Sequence, residues 1–252
     1  MNATAGTRWD RAPASPRASA GVVDVWRADL AAADGLAELL CAQERARAER
    51  LLRATLWARS RGMLRALLGR YLDRDPRGLR FELGPQGKPA LRGRAGRARQ
   101  LRFNLSHSGE LALVAVTAGR EVGVDVECAP RARRVHELAI VARVLGPAQA
   151  RWLRELEPDA RECEFLRAWT LREATAKCVG TGLASTLPPM QDGSATGLWT
   201  ATLDAGPRAA AAVADPEVAL WTAALDAGPR AVAAVAAEGR EERELRCFQW
   251  PG

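Results

Sequence analysis

Lysine is almost missing from this sequence: of 37 basic residues only Lys88 and Lys177 are lysines, and the rest are arginines. A chain rich in alanine and arginine reflects a coding bias towards G+C. Against that bias a retained lysine points to a position that needs a compact ammonium rather than a planar guanidinium fork. Tyrosine and phenylalanine are also scarce, with one and four, so the residues that commonly build a base-stacking platform are thinly supplied apart from tryptophan. Cys41, Cys128, Cys163, Cys178 and Cys247 are an odd set with no C-x-x-C spacing. That pattern suggests neither a disulfide framework nor a cysteine-based structural zinc site and reads as reduced thiols, mostly core filler. No apolar run approaches the length of about eighteen residues that a membrane span needs, and the first residues lack the apolar core of a signal sequence. The sequence therefore predicts a soluble, cytoplasmic protein that does not enter a membrane.

What is present is a chain of 252 residues, 48% hydrophobic, with a formal charge of +7 and a pI near 9.9. That length supports one large domain or two small ones, each with a real core. The charge suits an acidic partner: nucleic acid, a membrane surface, a phosphorylated cofactor or an acidic protein. The basic run "RGRAGRARQ" at 92–100 reads as a solvated loop, and no recognition helix or stacking platform accompanies it, so no nucleic-acid partner is expected.

Along the chain, residues 1 to about 20 are rich in Ala, Pro, Ser and Arg without apolar period, which predicts a flexible tail. "GVVDVWRADL" reads as a first strand. Leucines at helical spacing from Gly35 to Leu72 predict two helices, ended by "DRDPRG". "LRFELGPQGKPALRG" reads as strand, turn and short extension with Lys88 on the loop. Strands follow at "LRFNLS", "LALVAVTA" and "VGVDVE". The segment from Arg133 to Gly180 is helical in two or three pieces, broken at Gly146-Pro147 and Pro158. Near the end "LWTATLDAGPRAAAAVA" (198–214) recurs as "LWTAALDAGPRAVAAVA" (220–236), 22 residues on and with two differences. Each copy reads as a hairpin turning at Asp-Ala-Gly-Pro. Two copies fall short of a solenoid, so a tandem duplication of one hairpin is the simpler account.

Three places carry chemistry. In "VGVDVE" the alternation of a strand puts Asp125 and Glu127 on one face and Val124 and Val126 on the other. Neighbouring carboxylates repel, and burial raises the cost; a divalent cation with oxygen ligands, Mg²⁺ above all, removes it. An exposed strand face paired with arginines is the alternative. In "WTLREATAKCVGTGL" (169–183) Glu173 and Lys177 stand four residues apart on one helix face, a site or an ordinary surface ion pair. Ser106, His107 and Ser108 lie where a strand meets a turn. Without a G-x-S-x-G elbow they do not make a hydrolase triad, but hydroxyls, backbone N–H groups and an imidazole suit a phosphate. A turn histidine is the plain alternative.

"GKP" at 87–89, "FNLSHSG" at 103–109, "GVDVE" at 123–127 and "WTLREATAKCVGTGL" at 169–183 stand in the order and approximate spacing of the 4'-phosphopantetheinyl transferases of the surfactin-synthetase-activating type. The chain resembles that family from roughly Arg45 to Leu183. The resemblance implies an α+β pseudodimer of two similar halves, 21–127 and 128–252, with the active site in the cleft between them. It implies transfer of the 4'-phosphopantetheine arm of coenzyme A to a serine of an apo acyl or peptidyl carrier protein, as in polyketide and nonribosomal peptide synthesis, with release of adenosine 3',5'-bisphosphate. By motif position Asp125, Glu127 and Glu173 look like the Mg²⁺ ligands. Glu173 looks like the general base and Lys177 like the group that stabilises pyrophosphate charge. Lys88, Ser106 and His107 match positions that hold coenzyme A, and Arg53 and Arg61 align approximately with cationic cofactor contacts. Where the family commonly has Lys before the helix glutamate this chain has Arg172, and where it usually has one terminal hairpin this chain has two. A monomer is expected, because a pseudodimer supplies both halves of the cleft, and a basic enzyme attracts an acidic carrier. The alternative within the resemblance is a degenerate paralogue that binds coenzyme A or carrier protein without turnover.

Overall fold

The structure, a computed structural model, describes residues 7–92, 100–128, 147–180, 220–228, 231–239 and 241–251. The basic loop at 93–99, the helical expectation over 133–146 and the first hairpin copy at 198–214 lie outside the described residues.

The strands are β1 (Asp10–Arg11), β2 (Val22–Asp29), β3 (Phe81–Leu83), β4 (Pro89–Leu91), β5 (Leu101–Ser108), β6 (Leu111–Ala118), β7 (Val122–Cys128), β8 (Leu220–Asp226), β9 (Ala231–Glu238) and β10 (Glu244–Gln249). The helices are α1 (Ala42–Ala48), α2 (Ala54–Leu72), α3 (Pro147–Glu155) and α4 (Pro158–Val179), with short 3-10 turns at Leu36–Leu39 and Pro76–Gly78. They build a five-stranded sheet in the order β1-β10-β2-β6-β5, a three-stranded sheet β7-β9-β8 and the small hairpin β3-β4. β10 lies parallel between β1 and β2, and the other pairings are antiparallel.

The layers follow from the side-chain periods. In α2, Met63, Leu64, Leu67, Leu68 and Tyr71 recur at helical spacing. They bury themselves against Trp26 and Ala28 of β2, Phe103 of β5 and Ala112, Val114 and Val116 of β6. On the opposite face of the same sheet Val23, Val25, Leu113 and Ala115 meet the inner face of the second sheet: Val122, Val124 and Val126 from β7, Trp221, Ala223 and Leu225 from β8, Ala233 and Val235 from β9. Beyond it Leu171, Ala174 and Cys178 of α4 cover Leu220, Ala234 and Ala236. The described chain is thus layered helix, sheet, sheet, helix. Each fully buried aliphatic side chain in these interfaces stabilises by about 1.5–3 kcal/mol.

Two sequence expectations are sharpened. The second hairpin copy forms β8 and β9 with its turn after Asp226, where the Gly228 amide donates to Asp226 Oδ1. The tail read through residue 20 includes an anchored stretch: Asp10 and Arg11 pair with Phe248 and Gln249. In addition, Trp9 Nε1 donates to the Asp226 carbonyl at 2.8 Å, and the Asp226 amide donates to Thr7 Oγ1 at 2.8 Å. Composition hides this, because the anchor is one indole and a few backbone bonds to residues more than 200 positions away. No helix among the described residues is long and apolar enough to cross a membrane.

Candidate functional site

β5 and β7 are edges of different sheets, and side chains join them. In β5 the odd residues Leu101, Phe103 and Leu105 face α2, so the even residues Asn104, Ser106 and Ser108 face the other way. Asn104 Oδ1 accepts from the Val124 amide at 3.0 Å, Ser106 Oγ donates to Asp125 Oδ1 at 2.8 Å, and Ser108 Oγ donates to Glu127 Oε2 at 2.9 Å. The Cys128 amide donates to Ser108 Oγ at 3.2 Å. An N-x-S-x-S repeat thereby makes a ladder that fixes both carboxylates of "VDVE". His107 has the other parity. It lies on the face that Phe103 and Leu105 share, so the strand separates it from Ser106 rather than joining the two in one cradle.

α4 crosses the outer face of β7 at Gly123. A Cβ there would fall on the Ala174 carbonyl oxygen and the Cys178 amide nitrogen of α4, so only glycine allows the backbones to approach this closely. The approach brings Lys177 to the carboxylates: its Nζ is 2.5 Å from Asp125 Oδ1 and 3.1 Å from Ser106 Oγ. α4 ends at Gly180, whose left-handed conformation (φ 79°) closes the helix with a bond from its amide to the Ala176 carbonyl.

Asp125 is 3% exposed, and its Oδ2 is buried with no hydrogen-bond partner. Burial pushes its carboxyl above the ordinary aspartate range, although Lys177 and Ser106 pull the other way. Glu173 is also pushed up, first by burial; Lys177 opposes this, and the charges of Asp125 and Glu127 add to it. Three carboxylates therefore feel one another here. Among the described residues no three His, Cys, Asp or Glu side chains are gathered closely enough to hold a metal ion as they stand. The donor chemistry nevertheless suits a hard cation: an all-oxygen set, one of whose buried oxygens has no proton donor.

The remaining expected residues divide. Arg53 is exposed at the start of α2. Arg61, about two turns further along that helix, pairs with Glu44 at 2.6 Å and lies over the Phe81 ring at 4.1 Å. Lys88 Nζ donates to Glu121 Oε2 at 2.7 Å, the Val122 carbonyl at 3.0 Å and the Cys178 carbonyl at 3.2 Å. Asp125, Glu127, Glu173, Lys177 and Ser106 are thus one group; Arg53, Arg61 and His107 belong to the α2 side. Sequence reasoning missed Asn104 and Ser108 as supports, for which the two-residue alternation was the available signal. It also missed Gly123 and Glu121, for which no local signal existed.

Residues 121–234, which hold all four charged residues of the β7–α4 group, match the model of the 4'-phosphopantetheinyl transferase superfamily. The chain is 36% identical over 169 residues to the 4'-phosphopantetheinyl transferase HetI of Nostoc sp., covering 64% of this chain and 70% of that protein. It is 36% identical over 156 residues to a putative 4'-phosphopantetheinyl transferase, slr0495, of Synechocystis sp., covering 61% of this chain and 62% of that one. With the 4'-phosphopantetheinyl transferase psf-1 of Bacillus pumilus it shares 31% identity over 121 residues, covering 46% and 48%. The extent of the match to the Nostoc protein, with the superfamily model over the same β7–α4 group, places this chain in the 4'-phosphopantetheinyl transferase family.

Proposed function

We infer that this protein transfers the 4'-phosphopantetheine arm of coenzyme A to a serine hydroxyl of an apo carrier protein. The observation that carries the reading is the buried Asp125 carboxylate, held by Ser106 and Lys177 on one oxygen and left without a partner on the other. It faces a helix that brings Glu173 into the same field.

In the reaction the serine oxygen bonds to the β-phosphorus of the pyrophosphate. The phosphoanhydride bond to the adenosine side breaks, and adenosine 3',5'-bisphosphate leaves. Asp125, Glu127 and Glu173 are the residues that would hold a Mg²⁺ ion, which when bound neutralises pyrophosphate charge. Glu173, raised by burial and by its acidic neighbours, is a better proton acceptor than an exposed glutamate and takes the serine proton. Lys177 carries a positive charge that balances negative charge growing on the leaving bisphosphate. Ser106 and Ser108 hold the two β7 carboxylates in place and exclude water from their buried side. On the α2 side Arg53 supplies positive charge and His107 a donor for the phosphates of coenzyme A, whereas Arg61 is taken up by Glu44 and the Phe81 ring. The expected halves 21–127 and 128–252 do not follow the sheets, since β7 (Val122–Cys128) pairs with β9 and β10 (Glu244–Gln249) pairs with β2; the charged group lies where β5 of one sheet meets β7 of the other.

The test is intact-protein mass spectrometry of apo acyl and peptidyl carrier proteins incubated with coenzyme A, Mg²⁺ and the enzyme. A mass gain of one phosphopantetheine arm on at least one carrier, lost with Asp125→Ala and without Mg²⁺, is the expected result. Coenzyme A binding by calorimetry without any mass gain would make the chain a binding protein instead.

A further inference from the structure

Both lysines of this arginine-rich chain meet α4. Lys177 is carried on it, and Lys88 reaches its last turn from the turn between β3 and β4. An ammonium has three N–H donors, and the contacts of Lys88 to Glu121 Oε2, the Val122 carbonyl and the Cys178 carbonyl use all three. The Cys178 carbonyl is among the last four of α4, which have no partner inside the helix, and a cation there also complements the helix dipole. Glu121 is tied on its other side: Oε1 is 2.8 Å from Arg102 Nε of β5. Its amide donates to Glu238 Oε2, and its carbonyl accepts from the Glu238 amide at the end of β9. Lys88 and Glu121, the latter through its carboxylate and its backbone, therefore connect the β3–β4 hairpin, β5, β7, β9 and the end of α4.

Three acceptors from separate places around one nitrogen suit a compact tetrahedral ammonium better than the rigid planar fork of a guanidinium. That accounts for lysine at a position where the coding bias favours arginine. Lys177 is the neighbour of Cys178, and Glu173 is one turn further back. We propose that Lys88, acting with Glu121, is a positioning residue that fixes the last turn of α4 against β7 and so sets Lys177 and Glu173 opposite Asp125, rather than a ligand of a coenzyme A phosphate. The kinetic side of this inference rests on the transfer reading above; the structural side does not.

The test compares Lys88→Arg, Glu121→Gln and the double variant by steady-state transfer kinetics and by amide hydrogen exchange of the α4 terminus. Arginine binds phosphate well, so a phosphate ligand would survive Lys88→Arg and Glu121→Gln would be silent. A positioning pair behaves differently. Lys88→Arg lowers kcat about tenfold or more while KM for coenzyme A stays within about twofold. Glu121→Gln acts in the same direction, and the double variant is no worse than the more damaging single one. Exchange at residues 176–180 quickens in each variant. Unchanged exchange, or an effect confined to KM for coenzyme A, overturns the proposal. If the wild type transfers nothing to any carrier, the transfer reading fails by itself and the exchange experiment still decides whether the tie holds α4.

Discussion

Two buried carboxylates in this fold have opposite surroundings. Glu44 of α1 is bound on both oxygens: Oε1 by Arg61 and Oε2 by Arg65, each at 2.6 Å, with the Cys41 amide donating to Oε2 as well. Burial pushes its pKa up, but the hydrogen bonds from Arg65 and Arg61 outweigh burial and hold it below the ordinary glutamate range. Asp125 of β7 has one cation on one oxygen and nothing on the other, and there burial wins and the pKa rises. A saturated carboxylate is a strut; an under-satisfied one costs stability, and such a cost is typical of groups kept for chemistry. The comparison separates a structural charge cluster from a functional one within a single chain.

Asp125→Asn should have the largest effect. It keeps the shape and removes a charge that is poorly compensated, so we expect transfer to fall about a thousandfold, equivalent to ~4 kcal/mol. Unfolding free energy by urea should change by less than about 1 kcal/mol, because Lys177, whose side chain is 29% exposed, can turn to water. Glu44→Gln should do the reverse. It leaves the Arg65 side chain, 1% exposed, without its counter-charge and should lower stability by about 3–5 kcal/mol in the same urea titration. A stable Glu44→Gln protein would show that the two clusters are not distinct in kind.

Gly123→Ala addresses the joint rather than the charge. A methyl group pressed on the α4 backbone should cost about 1–3 kcal/mol and reduce transfer; wild-type behaviour on both counts would mean that α4 need not approach β7 so closely. The smallest effect is the pH dependence. Because the folded Glu44 pKa lies below its ordinary value of about 4.5, its pairing contributes fully above that pH and is lost as pH falls through the depressed folded value. The stability gap between wild type and Glu44→Gln should therefore be constant from neutral pH to about 5 and narrow below it. A gap that widens in acid would contradict the pairing.

Much of the site was legible because it is local. The alternation in "VGVDVE" places Val124 and Val126 in the core between sheets and Asp125 and Glu127 on the α4 face, and the four-residue spacing of Glu173 and Lys177 puts both on the side of α4 towards them. The same alternation, carried through "FNLSHS", separates His107 from Ser106, a consequence that reading the three residues as one phosphate cradle overlooked. What sequence could not supply is long-range: the partners of Lys88 lie 33, 34 and 90 residues away, and the need for glycine at 123 appears only when α4 is laid on it. The anchoring of residues 7–11 on β10 and on the β8–β9 turn is of the same kind.

If the unpartnered Asp125 Oδ2 marks a cation site, thermal unfolding with and without MgCl₂ will show it. A cation that binds only the folded state raises its stability by mass action. Mg²⁺ is expected to raise Tm of the wild type and of Glu44→Gln but to leave Asp125→Asn unmoved. An equal shift in all three, or none in the wild type, would contradict it.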